Sequence, residues 1–210
     1  MNTTHDNSSS YDRTQVPAHF TLHYSPEQIA MRTRELGDSI SPWAKEVSAS
    51  SGQDLLAVAV LRGGIFFYAD LVRSIRTSVE VAPVRTVGYD PEKNAPADTV
   101  SIIADSVDVR GRSVLLVDDI CDSGRTFERL VPLLLSKGAK EVKTTSLVRK
   151  VFAHKTFTPD WVGFEFVGDD WLVGYGMDDS ERWRNLGGVY GMRPPTAATV
   201  VTPSGSQGAS

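Results

Sequence analysis

Cysteine is nearly missing from this sequence. Cys121 stands alone among 210 residues and cannot close an internal disulfide, which suits a reducing, cytoplasmic compartment. Long apolar runs are missing as well. The longest, Leu55–Leu61 and residues 131–135, fall far short of the ~20 residues a helix needs to cross a bilayer. The first eleven residues are polar and lack the apolar stretch of a secretory signal. Nor is there a basic excess. Lys and Arg total 22 against 26 Asp and Glu, a net charge of −4, which argues against a surface that coats nucleic acid. His5, His19, His23 and His154 are too scattered for a zinc site, and no solenoid-type repeat is present. What is left, 40% hydrophobic and 23% charged, is the composition of a folded chain with a sizeable core. At this length one elaborated domain is expected.

The two ends, residues 1–15 and 194–210, are rich in small polar residues and proline. Without apolar periodicity they cannot offset their ordering entropy, so both are expected to be disordered tails around a domain at 16–193. Inside that domain the pattern alternates. Ser25-Pro26-Glu27-Gln28 carries an N-cap, a first-turn proline and a capping-box Gln. Ile29, Leu36, Ile40, Trp43 and Val47 follow at helical spacing, with a kink or break expected before Pro42. Leu55–Leu61 reads as a strand buried on both faces, and Ile65, Ala69, Val72 and Ile75 as the stripe of the next helix. Residues 79–87 and 99–104 are strand-like, and the polar segment 88–98 lies between them. Residues 113–117 form a second buried strand. Phe127, Leu130, Val131, Leu134 and Leu135 then mark a helix distorted by Pro132. Residues 141–148, 161–167 and 171–175 supply further strands. Strands alternating with helices indicate an α/β fold with a mainly parallel sheet flanked by helices. Ligands of such sheets bind at the carboxyl ends of the strands.

The chemistry concentrates after the strand at 113–117. There the chain reads Asp118-Asp119-Ile120-Cys121-Asp122-Ser123-Gly124-Arg125-Thr126-Phe127. A buried strand delivers two adjacent carboxylates, then a third, and Ser-Gly-Arg-Thr opens a helix. Helix-start N–H groups favour an anion. Gly124 lets a phosphate approach the backbone, and the Ser123 and Thr126 hydroxyls can donate to it. Three carboxylates beside a phosphate fit if they accept from sugar hydroxyls, take a proton or face a divalent cation. A helix N-cap would account for Asp122 and Ser123 but not for Asp118 and Asp119. Cys121 has no metal-ligand partner near it and reads as a small packing residue.

This run resembles the 5-phosphoribosyl-1-diphosphate (PRPP) motif of type I phosphoribosyltransferases. Segments between about Tyr24 and Tyr190 resemble, in order, the hypoxanthine-guanine branch of that family. The resemblance implies the type I fold with a small C-terminal hood, drawn largely from 155–193 plus the N-terminal segment. It implies that Asp118 and Asp119 bind the ribose hydroxyls, and that Asp122–Thr126, with Arg125 among them, hold the 5′-phosphate. Leu61-Arg62-Gly63-Gly64 resembles the family's diphosphate loop, often built on a non-proline cis peptide. In Trp171-Leu172-Val173-Gly174-Tyr175-Gly176-Met177-Asp178, Trp171 would stack on a purine and the Leu172 backbone would meet its edge. Asp178, with Asp118 and Asp119, would bind Mg²⁺, and Arg184 would bind diphosphate. Asp122 would act as the catalytic acid–base group near the purine, and Tyr89 would close the flexible loop over PRPP.

The lysine that meets the purine 6-oxo group corresponds to Lys150 or to Arg149, with Lys150 preferred for its distance to Pro159-Asp160-Trp161. Two features depart from the pattern. Asp118-Asp119 stands where the branch commonly has Glu-Asp, which keeps xanthine open as a substrate, and Val87-Gly88-Tyr89 replaces a Ser-Tyr loop. The implied activity is purine salvage: transfer of the phosphoribosyl group of PRPP to hypoxanthine or guanine, with Mg²⁺, by a homodimer or homotetramer with no nucleic-acid or membrane partner. The alternatives are a xanthine-preferring enzyme, or a non-catalytic regulator that senses PRPP.

Overall fold

The computed structural model describes residues 16–85, 107–151 and 157–192. The expected tails, the strand at 99–104, the loop at 88–98 with Tyr89, and the last residues of the strand at 79–87 lie outside the described residues. The elements run β1 (Phe20–Tyr24), α1 (Pro26–Ser51), β2 (Leu55–Leu61), α2 (Ile65–Ser74), β3 (Val79–Arg85), β4 (Ser113–Cys121), α3 (Arg125–Ser136), β5 (Glu141–Lys150), β6 (Trp161–Phe166), β7 (Trp171–Val173) and β8 (Val189–Met192). Among the described residues no helix is long and apolar enough to cross a membrane.

The main sheet has the order β3-β2-β4-β5-β6, and all four pairings are parallel. Its central strands are apolar on both faces, and successive side chains alternate between two cores. Leu55, Leu115 and Val117 join Ile29, Leu36, Ile40, Phe67 and Leu71 of α1 and α2 on one face. Leu56, Val58, Val60, Val114 and Leu116 join Phe127, Leu130 and Leu134 of α3 on the other. The chain leaves β2 through α2 toward one edge and leaves β4 through α3 toward the other. Adjacent β2 and β4 therefore form a topological switch point, and their carboxyl ends flank a crevice open to a ligand.

The Ser25 capping box is present, with Ser25 Oγ accepting from the Gln28 N–H and Gln28 Oε1 from the Ser25 N–H. Pro42 does not break α1, and α3 runs through Pro132. Each proline frees one carbonyl four residues back, of Asp38 and Glu128. Both residues are exposed, so water can take the freed groups. In α2 the expected stripe holds at Ile75 and fails at Ile65 and Ala69. Phe67, Leu71 and Ile75 are buried, whereas Ile65 is 48% exposed and Ala69 is exposed. Residues 65–69 are apolar without interruption, so their periodicity does not choose a face; packing against α1 and β4 does. Leu135 likewise faces solvent on α3.

Strand β4 continues four residues past its apolar run, because Asp118, Ile120 and Cys121 keep their pairing with β5. β5 in turn reaches Lys150 beside Phe166. β6 and β7 end earlier than their apolar runs, at Phe166 and Val173.

The segment expected to form the hood divides. β6 adds to the edge of the main sheet, while β7 joins β8 and β1 in a second, antiparallel sheet ordered β1-β8-β7. β1 ties the two sheets together. Tyr24 stacks on Phe164 of β6 with ring centroids 4.2 Å apart, and His23 Nε2 lies 2.9 Å from Asp170 Oδ2 at the start of β7.

Candidate active site

Two cavities meet at the switch point. The first, about 340 Å³, is lined by Val60 and by the continuous run from Asp118 to Gly124 with Thr126 and Phe127. The second, about 280 Å³, is lined by Arg62, Gly63, Lys150, Trp171, Leu172, Met177, Asp178 and Arg184. Asp119, Ile120 and Asp122 belong to both. Of the residues given a site role in sequence, all but Arg125, Arg149 and Tyr89 line one or other cavity. Arg125 opens α3 beside the first, and Tyr89 lies outside the described residues.

The β4–α3 turn forms the first cavity. Asp122 and Ser123 do not cap α3. The N-cap is Gly124, which has no side chain to offer, so among the described residues the first N–H groups of α3 take no capping side chain and keep their preference for an anion. Gly124 has φ +85°, and a Cβ there would stand 2.6 Å from Cβ of Phe157. That gives the glycine a structural reason beside the phosphate. It is required by a left-handed backbone and by Phe157, whose ring stacks on Phe127 at 5.3 Å, before any phosphate is considered.

Asp118 and Asp119 are each only 6% exposed, and the strand pairing fixes their backbone. The Asp119 N–H donates to Asp118 Oδ1 at 3.0 Å, and the Ile120 N–H donates to Asp119 Oδ1 at 2.9 Å. Burial, then repulsion from Asp119, raises the Asp118 carboxyl well above the ordinary carboxylate range. Burial also raises Asp119, opposed by its hydrogen bonds and by the charge of Arg184. The pair therefore holds a proton more readily than two solvated carboxylates would. Gly63 matters to this pair, since a Cβ there would stand 2.1 Å from Asp119 Oδ2. Only a bare backbone lets the β2 loop pass so close.

The second cavity is assembled from distant segments. The Leu61–Arg62 peptide is cis, as the diphosphate-loop resemblance implies. Arg62 pairs with Glu181, and Arg184 Nη2 lies 2.8 Å from Asp178 Oδ1 and 3.2 Å from Glu181 Oε2. Arg184 Nη1 also donates to the Gly176 carbonyl at 2.7 Å. The two arginines expected to meet a diphosphate thus stand together, one on the loop after β2 and the other on the hood, joined through Glu181. Trp171 is 56% exposed rather than a core residue, and its indole N–H donates to the Asp178 carbonyl at 2.8 Å.

Lys150 and Arg149 part company. Lys150 is 6% exposed, with Nζ 3.6 Å from Asp122 Oδ1, whereas Arg149 Nη1 donates to Glu165 Oε1 on β6 at 3.1 Å. Alternation along β5 sends the two side chains to opposite faces. Ile120, Met177 and Glu181, all at the site, escaped sequence reasoning. Ile120 and Met177 are apolar wall with nothing in sequence to mark them. Glu181 sits among quoted residues, but its two arginine partners come from the fold.

Comparison with known proteins agrees with this geometry. Residues 32–179 match the phosphoribosyl transferase domain family. The chain is 37% identical over 162 residues to the hypoxanthine-guanine phosphoribosyltransferase of Mycobacterium tuberculosis, covering 76% of this chain and 79% of that protein. It is 39% identical over 166 residues to the Aquifex aeolicus enzyme of the same name, covering 78% and 89%. Among solved structures, a hypoxanthine-guanine phosphoribosyltransferase from Bacillus anthracis superposes with a TM-score of 0.69 at 29% identity, over 82% of this chain and 98% of that one. The chain belongs to the phosphoribosyltransferase family, in its hypoxanthine-guanine branch.

Proposed function

We propose that this transferase moves the 5-phosphoribosyl group of PRPP to a 6-oxopurine, hypoxanthine or guanine, releasing diphosphate and a nucleoside 5′-monophosphate. The observation that carries the reading is the pair of cavities joined at Asp119, Ile120 and Asp122. One ends at an uncapped helix N-terminus suited to a 5′-phosphate. The other offers two guanidiniums for a diphosphate and a buried ammonium for a base.

The chemistry forms a bond from a purine ring nitrogen to ribose C1 and breaks the C1–oxygen bond to diphosphate. Positive charge grows on the ribose and negative charge on the leaving group. The side chains of Arg62 and Arg184 stabilise the leaving group. Asp118 and Asp119 accept hydrogen bonds from the ribose hydroxyls, which aligns C1 between the cavities. Asp122 takes the proton that the attacking purine gives up, or holds it on the ring nitrogen facing it. Lys150 Nζ can only donate, so it pairs with a 6-oxo acceptor and leaves the 6-amino group of adenine facing another donor. Trp171 stacks on the base, and the Leu172 backbone meets its edge.

Magnesium fits this site. Among the described residues there is no cluster of three or more candidate ligands, whereas Mg²⁺ takes one or two carboxylates and otherwise water and phosphate oxygens. Asp178 on one side of the site and the Asp118–Asp119 pair on the other each supply that number. When bound, the ion neutralises diphosphate charge.

Residues 16–193 form the catalytic unit in this reading, in a cytoplasmic enzyme. Self-association as a dimer or tetramer would cover apolar side chains such as Ile65 and Phe66 on α2 and Val81 on β3, 41% to 59% exposed.

The test supplies purified protein with Mg-PRPP and, in turn, hypoxanthine, guanine, xanthine, adenine and uracil. Nucleoside monophosphate and diphosphate should form with hypoxanthine and guanine, with adenine slower by ~10⁴ because its amino group cannot pair. Turnover of xanthine alone would move the assignment to a xanthine enzyme. PRPP binding without turnover of any base would leave a PRPP-sensing regulator.

A further inference from the structure

Glu181 occupies an unexpected place. It lies between the two guanidiniums assigned to the diphosphate. Its Oε1 pairs with Arg62 and its Oε2 with Arg184 Nη2 at 3.2 Å. One carboxylate oxygen on each guanidinium is the connectivity that one end of a diphosphate would make with the same two side chains. The backbone holds it there. Ser180, Glu181 and Trp183 all have positive φ, 52°, 66° and 73°, conformations that L-residues adopt at a cost. The Glu181 N–H is anchored to Asp178 Oδ2 at 2.8 Å. A run of backbone outliers at a site is grounds for asking what it presents.

We propose that Glu181 is an intramolecular competitor for the diphosphate, holding Arg62 and Arg184 while the site is empty and giving them up when diphosphate or PRPP arrives. This rests on the reading of the second cavity as a diphosphate site. Competition follows from how the two arginines are held. Arg184 keeps the Gly176 carbonyl and Asp178 Oδ1 without help from Glu181, so removing the carboxylate leaves it in place. The Arg62 and Glu181 side chains are both 57% exposed, and an ion pair so open to solvent contributes little. It yields to a ligand of higher negative charge. The same carboxylate returns as diphosphate leaves, which opposes tight product retention.

The sign of one effect separates competition from a structural role. Inorganic diphosphate with magnesium is titrated calorimetrically into the full-length wild type, E181Q and E181A, with inosine monophosphate as a control ligand that does not need the arginines. Competition predicts that both variants bind diphosphate more tightly, by about 1.5- to fivefold, the range of one exposed ion pair. Their affinity for the nucleotide should be unchanged. Unchanged or weaker diphosphate binding in the variants, with normal nucleotide binding, overturns the proposal. If the wild type binds the nucleotide but no diphosphate, the reading of the second cavity falls, and this inference with it.

Discussion

The two cavities are built in opposite ways. Apart from Val60, the first is one stretch of chain, residues 118–127, folded over the end of β4. The second draws on the β2 loop, the end of β5 and the hood between Trp171 and Arg184. A local site depends on strand, turn and helix cap. A composite one depends on strand register and on how the hood sheet docks. The first should therefore be sensitive to backbone changes and the second to the loss of single side chains. Asp122, common to both, should be the most sensitive position of all.

That expectation sets the order of the tests. Asp122→Asn keeps size and strand end, so PRPP binding should survive while turnover falls by roughly 10²–10⁴, the usual contribution of an acid–base group. Single-turnover kinetics beside a PRPP titration would show it, and undiminished turnover would remove Asp122 from the chemistry. Next comes Lys150→Ala, expected to lower kcat/KM for hypoxanthine by about 10- to 150-fold, the value of a hydrogen bond to a charged donor. Arg149→Ala should cost much less, because Arg149 is paired with Glu165 on β6. Equal, small losses at the two positions would end the assignment of Lys150 to the base.

Gly124→Val sharpens the other side of the comparison. The side chain meets Phe157 and a left-handed backbone, so the fold should lose roughly 1–3 kcal/mol as well as PRPP affinity. Denaturant unfolding beside calorimetry would separate the two losses. Weakened binding at full stability would mean that Phe157 moves aside freely.

The smallest effect belongs to Asp118. Its carboxyl is raised by burial, so the folded state keeps a proton that the unfolded chain releases in the ordinary carboxylate range. Between that range and the raised value the native state binds more protons, and stability falls as pH increases. Asp118→Asn removes this penalty. Its melting temperature at pH 7 should exceed that of the wild type by roughly 2–4 °C, what about 1 kcal/mol is worth at this chain length. The gain should shrink on acidification to pH 4, and PRPP binding should weaken. A lower melting temperature at pH 7 would show that the carboxylate is stabilised by its neighbours instead.

The same contrast explains what the sequence disclosed. Strands β2 and β4, the capped start of α1 and the Asp118–Thr126 run could be read because each is defined by adjacent residues. The buried face of α2 could not, since residues 65–69 are apolar throughout and only packing selects Phe67 and Leu71. The last residues of β4 and β5 were hidden because Asp118 and Lys150 look like the polar start of a turn, yet go on pairing. The hood strand β1 lies about 170 residues from its partner β8 in Phe20↔Met192, beyond any periodicity. Lys150 and Arg149 were inseparable until the register of β5 was known. Glu181 gained its meaning only when Arg62 and Arg184 were seen on either side of it.

The central claim is that one ligand spans both cavities, and its fragments test it most directly. Ribose 5-phosphate should fill the first cavity and magnesium diphosphate the second, each titrated into the wild type, Thr126→Val and Arg184→Gln. Thr126→Val should weaken ribose 5-phosphate by about tenfold, the upper range for one neutral hydrogen bond, and leave diphosphate unchanged. Arg184→Gln should do the reverse, and both should weaken PRPP. If either variant weakened both fragments equally, or if the two fragments competed for one place, the two-cavity account would be contradicted.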